Sequence, residues 1–174
     1  MVGRLRGDGV ATMPSERLMR KRRRDRAPVT SASMALFRLG EMCNNKCPMC
    51  SNSGRPEAFF ISETALLQRA ERLAVWGFKR VVLTGGEPTL EPGLVELIHF
   101  FRDHGFKVKL DSNGSHPDVL KECLPLIDYI AMDIKSGLSG YPEIAGFTRK
   151  EIIEESVKLI MSSDIEHEFR TTVI

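Results

Sequence analysis

Three cysteines spaced C-x3-C-x2-C, Cys43, Cys47 and Cys50 in GEMCNNKCPMCSN, are the residues of this chain best suited to chemistry. Three thiolates packed so closely can hold three corners of an iron–sulfur cube and leave the fourth iron without a protein ligand. An open metal position is where a small molecule coordinates and reacts. The competing reading is half of a structural zinc knuckle. Zinc takes four ligands, usually as two pairs, and the second pair is hard to find: Cys123 stands alone and no His follows at short spacing. The triplet by itself favours a cluster over zinc.

Three further motifs carry polar groups. In TGGEPT, residues 84–89, Gly85 and Gly86 let a ligand approach the backbone because no Cβ intervenes. Glu87 adds a carboxylate, and Pro88 fixes the turn beyond it. A row of carbonyls with one carboxylate suits an ammonium group; an ordinary turn is the bland alternative. In DSNG, Asp111, Ser112 and Asn113 precede Gly114, and in MDIK, Asp133 precedes Lys135 by two. DSNG reads first as a polar strand-to-loop turn; alternatively Asp111 and Asp133 can hold a ribose or a hard cation through oxygen, and Lys135 can neutralise a carboxylate or phosphate. Arg170 falls in the last apolar run, where an unpaired guanidinium is costly. It must meet an acid or an anionic ligand.

The elements that would position these groups alternate from Met34 onward. Met34–Leu39 reads as a strand leading into the cysteine loop. Ser62 is placed to cap a helix to about Trp76, with Leu66, Leu67, Ala70, Leu73 and Ala74 on one face and Gly77 as its stop. Lys79–Leu83 is a buried strand, followed by a helix from about Gly93 to His104. Lys107–Asp111, a short helix at Asp118–Cys123 and a strand at Tyr129–Ile134 come next. Thr148 and Glu151 have capping-box spacing and open a helix to about Ser162, and Glu168–Ile174 closes as a strand. Five strands alternating with four helices predict an α/β fold of parallel units with right-handed crossovers, a partial β/α barrel or a doubly wound sheet. Each polar motif directly follows a predicted strand. All should therefore gather at the carboxyl ends of the sheet.

At 174 residues with 42% hydrophobic content the chain is about one domain with a real core. No apolar run approaches the ~20 residues of a membrane span, and a membrane partner is not expected. The net charge of +2 hides a basic run from Arg17 to Arg26, which lies in a segment rich in Gly, Pro and Ser and lacks interleaved aromatics. Residues 1–33 read as a disordered leader, with contact to an anion as the alternative and nucleic acid not an expected partner. Four cysteines fit one metal triplet and a spare better than two disulfides, so a reducing cytoplasm and protection from oxygen are expected. Cys123, among Leu120, Leu124 and Ile127, reads as a core thiol. His116, before Pro117, lies in a rim loop, with a role in the site as the alternative to a plain loop residue.

CNNKCPMC followed by TGGEPT resembles the radical S-adenosylmethionine superfamily. The resemblance implies that Cys43, Cys47 and Cys50 ligate a [4Fe-4S] cluster, whose open iron takes the methionine end of S-adenosylmethionine. It also implies that Gly85, Gly86 and Glu87 engage the methionine ammonium. The segments GFKVKLDSNGSHPDVLKE, DYIAMDIK and EFRTTVI are similar to glycyl-radical enzyme activases, above all the anaerobic ribonucleotide reductase activating type. That likeness implies a glycyl-radical enzyme as partner and a flavodoxin- or ferredoxin-type reductant. It adds Met49, Asn52, Pro88, Asp111, Ser112, Asn113, Asp133, Lys135 and Arg170 to the cofactor contacts, with a monovalent cation at Asp111 and Asp133. Met49 stands where activases usually carry an aromatic residue, and residues 53–60 depart from the usual activase loop. The family's partial barrel has six strands, so the barrel over residues 34–174 is expected to lack its last one. A fragment, a split protein completed by a partner and a naturally short form remain open. So do a radical enzyme acting on a small molecule or peptide, and a truncated metal-binding module without catalysis.

Overall fold

The computed structural model describes residues 33–50 and 60–171. The leader up to residue 32, residues 51–59 with Asn52 among them, and residues 172–174 lie outside them. Among the described residues five strands run β1 (Met34–Arg38), β2 (Arg80–Thr84), β3 (Lys107–Ser112), β4 (Tyr129–Asp133) and β5 (Glu166–Arg170). All pairings are parallel, and the order across the sheet is the order in sequence. Between them come α1 (Glu63–Trp76), α2 (Leu94–Asp103), α3 (Pro117–Cys123), α4 (Tyr141–Ile144) and α5 (Lys150–Met161). The expected α/β partial barrel of five units is the fold observed, with α4 as an element the sequence reading does not separate.

The helices cover one face of the sheet. Phe37, Leu83, Leu110 and Ile130 form a buried row across β1–β4. Leu94, Leu97, Ile98 and Phe101 of α2 pack into the same core. Phe101 meets Phe37 and Phe106 edge-on, each at a centroid distance of 5.1 Å, a geometry favoured by aromatic quadrupoles. Cys123 is fully buried, its thiol pushed up by burial to about 12, and it is the core residue expected.

The other face is open. Leu36, between buried Ala35 and Phe37, is 75% exposed, and it lies in register with Val82, Lys109, Tyr129 and Glu166 along the inner side. Among the described residues no helix is long and apolar enough to cross a membrane.

Local rules are met unevenly. Gly77 ends α1 in the left-handed conformation at φ 84° as expected. Ser62 stands at the N-cap of α1 without a side-chain capping bond. The Thr148–Glu151 capping box does not form: Arg149 is the N-cap of α5, again without a capping side chain. β5 begins at Glu166, two residues before the expected start, because Glu166 already pairs with Tyr129.

Candidate cofactor site

The motifs meet at the carboxyl ends of the strands. The cysteine loop leaves β1 and is tied to the loop after β2 by main-chain bonds: Leu39 N–H to Thr84 O at 2.9 Å, Gly86 N–H to Gly40 O at 3.1 Å and Glu87 N–H to Met42 O at 2.7 Å. Both glycines are needed for this approach. A Cβ on Gly86 would run into the Met42 carbonyl, and one on Gly85 into the Gly40 carbonyl. From the far side, Lys46 N–H donates to Ala145 O at 2.7 Å, which anchors the cysteine loop to the end of α4.

Cys47 is buried, Cys43 half-buried and Cys50 exposed. Among the described residues no three His, Cys, Asp or Glu side chains are gathered as a metal-binding group. The loop is thus anchored at its base, with its three sulfurs spread in depth. Burial pushes the Cys43 and Cys47 thiols above their usual range, while the Lys135 ammonium pulls Cys47 the other way. Met49, beside Cys50, is exposed.

Glu87 is 3% exposed, and both its oxygens are taken up within the chain. Oε1 accepts from Thr89 N–H at 3.1 Å, Thr89 Oγ1 at 2.6 Å and Ser112 Oγ at 2.8 Å, and Oε2 from Asn113 N–H at 2.6 Å. Burial raises its pKa, opposed by these four donors. Pro88 and Thr89 are buried in the short 3-10 turn that follows. Asn113 is buried too; its Nδ2 donates to Asn44 Oδ1 at 3.0 Å and lies 3.7 Å from Cys43 Sγ. Ser112, Asn113, Glu87 and the cysteine loop therefore form one connected unit.

A second unit lies on the open side. Arg170 Nε donates to Asp133 Oδ1 at 2.9 Å, and its NH1 stands 3.4 Å from Asp111 Oδ2. Partial burial lowers the Arg170 pKa, but the two carboxylates outweigh it and the net shift is upward. Lys135 Nζ bonds Asp133 Oδ2 at 2.7 Å, and its main-chain N–H donates to the buried Tyr141 hydroxyl at 3.1 Å. Lys109 Nζ bonds Glu168 at 2.9 Å and stands 3.7 Å from Asp111 Oδ1. Arg170 thus meets the two acids that the sequence reading assigns to a ribose or cation. The guanidinium sits between them.

Sequence reasoning singles out Cys43, Cys47, Cys50, Gly85, Gly86, Glu87, Asp111, Ser112, Asn113, Asp133, Lys135 and Arg170, and all lie at this end of the sheet. It misses Asn44, Thr89, Ser115, Tyr141 and Lys109. Thr89 carries a usable signal: a hydroxyl two residues after an acid in a Pro turn is placed to bond it.

A parallel sheet whose first loop carries three cysteines and is clamped by a Gly-Gly-Glu turn is a scaffold able to hold a metal group at its carboxyl edge. Residues 37–174 match the Radical SAM superfamily, and the chain belongs to it. It is 32% identical over 154 residues to MJ1227 of Methanocaldococcus jannaschii, whose assignment as a glycyl-radical enzyme activating enzyme is itself an inference; the match covers 82% of this chain and 62% of that protein. It is also 32% identical over 107 residues to the 7-carboxy-7-deazaguanine synthase of Haemophilus influenzae, 62% of this chain and 46% of the relative. The chain thus spans about half to two thirds of these relatives. Its fold is shared with the native anSMEcpe structure with bound AdoMet and Kp18Cys peptide, at a TM-score of 0.65 and 17% identity over 78% of this chain and 42% of that one.

Membership brings a [4Fe-4S] cluster and S-adenosylmethionine as cofactors. The residues present fit them. The Asn45 side-chain amide is buried within the cysteine loop with neither its oxygen nor its nitrogen bonded, and Asp111 Oδ1 is buried without a hydrogen-bond partner. Such buried polar atoms call for an additional polar group. Three sulfur donors on one loop suit iron–sulfur chemistry.

Proposed function

We propose that the chain forms the core of a radical enzyme that installs a glycyl radical on a partner protein. The clamping of the cysteine loop by the Gly85–Glu87 turn supports this reading, because it sets three thiols beside the Gly-Gly backbone to which the proposal assigns the methionine ammonium. When bound, the cluster supplies the single electron that cleaves S-adenosylmethionine to methionine and the radical that takes hydrogen from substrate. Cys43, Cys47 and Cys50 would hold it.

The remaining work is positioning. The Gly85 and Gly86 backbone would meet the methionine ammonium, with Glu87 holding that backbone through its own bonds. Lys135, fixed through Tyr141, would face the methionine carboxylate. Asp111, held by Arg170, keeps one oxygen for a ribose hydroxyl. Buried Pro88, Thr89 and Cys47 floor the site against water, which protects a radical from side reactions. The likeness to MJ1227 supports a glycine on a partner protein as substrate. A second reading, a small-molecule substrate, is favoured by the synthase relative and by the open inner face of the sheet.

Anaerobic reconstitution with iron and sulfide, followed by electron paramagnetic resonance, tests the chemistry. A reduced-cluster signal that shifts on adding S-adenosylmethionine is the expected result. Stoichiometric zinc with no cofactor effect would instead leave a non-catalytic metal module. Incubation with a glycyl-radical enzyme should then yield 5′-deoxyadenosine and a glycyl-radical signal; deoxyadenosine without that signal directs attention to the small-molecule reading.

A further inference from the structure

His116 opens the turn before α3, on the loop that follows β3, and no step of the proposed chemistry calls on it. Its Nδ1 lies 3.0 Å from Thr89 Oγ1 and 3.0 Å from Ser115 Oγ. Which partner gives the proton follows from the surrounding bonds. An ionised Glu87 has no proton to give, and it accepts from the main-chain N–H groups of Thr89 and Asn113 and from the Ser112 hydroxyl. The Thr89 hydroxyl proton is therefore spent on Glu87 at 2.6 Å. Asn113 Oδ1 accepts from Ser115 N–H at 2.9 Å, so Asn113 Nδ2 is the donor to Asn44, and Asn44 presents its oxygen. That oxygen takes the Ser115 hydroxyl proton at 3.1 Å. A hydroxyl has one proton and two lone pairs. Both hydroxyls thus turn lone pairs toward His116, and Nδ1 must carry the hydrogen.

We propose that His116 is a positioning residue that acts as an Nδ1–H donor shared by Thr89 and Ser115, locking three loops together around Glu87. Thr89 belongs to the turn after β2, Ser115 to the loop after β3, and Asn44 to the cysteine loop. The chain His116–Thr89–Glu87 reaches the Gly85–Gly86 backbone, and the chain His116–Ser115–Asn44 reaches the residue beside Cys43. Loss of the donor leaves two hydroxyls facing one another without a proton between them and frees the turn to shift. The inference rests on reading Gly85–Glu87 as the loop that meets S-adenosylmethionine.

The test uses the side-chain geometry of amides. The Nδ2 of Asn falls near the Nδ1 of His, whereas the Nε2 of Gln falls near its Nε2. Reconstituted H116N, H116Q and H116L forms of the full chain are compared with wild type. The measurements are S-adenosylmethionine affinity, the KM and turnover rate for release of deoxyadenosine, and iron content. H116N should stay within about twofold of wild type, while H116Q and H116L should weaken affinity and raise KM by about tenfold, the size of one lost buried hydrogen bond, with iron content retained. Nitrogen-15 NMR of the oxidised wild-type holoprotein should show the Nδ1–H tautomer. Equal affinity in all four proteins, a fall of H116N alongside the other two, or an Nε2–H tautomer overturns the inference alone. A wild type that takes up iron yet binds no S-adenosylmethionine overturns the cofactor reading itself and the inference with it.

Discussion

Gly86 is the residue on which the site closes, since the Met42 carbonyl occupies the space a side chain would need. Gly86→Ala should push the cysteine loop off the β2 turn and lower S-adenosylmethionine affinity at least about tenfold, read by equilibrium binding to the reconstituted protein. Arg170 offers a different test. Its removal leaves Asp111 and Asp133 facing one another without the guanidinium that bridges them. Arg170→Ala should make cofactor binding depend on added potassium or sodium where wild type does not, checked by titration in a buffer free of both. What can be read from residue types is the chemistry-bearing set: thiols, paired glycines and acids at strand ends. Thr89 and His116 are harder, because their contact spans 27 positions and neither residue type announces it. From sequence, His116 is no more than a rim residue. That Glu87 is consumed by four internal donors cannot be foreseen from one carboxylate in a turn.

At the scale of elements, Asp128 staples the start of β3 to the loop before β4. Its carboxylate accepts from Lys107 Nζ at 2.7 Å and Val108 N–H at 2.9 Å. Partial burial opposes ionisation, but these bonds win and hold its pKa below the usual carboxylate range. A depressed folded-state pKa contributes stability above the unfolded value and loses it as pH falls through the folded one. Asp128→Asn should therefore cost about 1 kcal/mol at neutral pH, and the gap to wild type should narrow on acidification below about pH 4, followed by urea unfolding. Phe101→Ala, which empties the centre of the α2–sheet contact, should cost about 3–5 kcal/mol in the same assay. Helix and strand existence is legible for every element but the four-residue α4, because apolar spacing is set by the core. Cap chemistry is less so. Ser62, Thr148 and Glu151 satisfy the pattern without making the bonds, and β5 starts earlier than its apolar run because pairing with β4 extends to charged Glu166.

For the molecule as a whole, the decisive property is a sheet covered on one side and open on the other. Three bases, Lys109, Lys135 and Arg170, and three acids, Asp111, Asp133 and Glu168, interlock across its open side. Among the described residues these six charges balance, which favours recognition by individual contacts. On the proposed reading Lys109, two positions before Asp111 on the same open face and paired with Glu168, would meet the substrate rather than the cofactor. Lys109→Ala should raise the ratio of 5′-deoxyadenosine formed to substrate converted severalfold, about 0.5–1.5 kcal/mol for one contact, measured by chromatography of both products.

The strands also lie side by side in the order they are made, with the cysteine loop leaving the first of them. The residues that clamp this loop, Gly86, Asn113 and Ala145, all come later in the chain than Cys50, the last of them beyond β4. During synthesis the thiols therefore leave the ribosome well before their walls exist. A loop completed this late is expected to take up iron and sulfide only after translation has passed the fourth strand and its following turn, so that metallation follows folding rather than nucleating it.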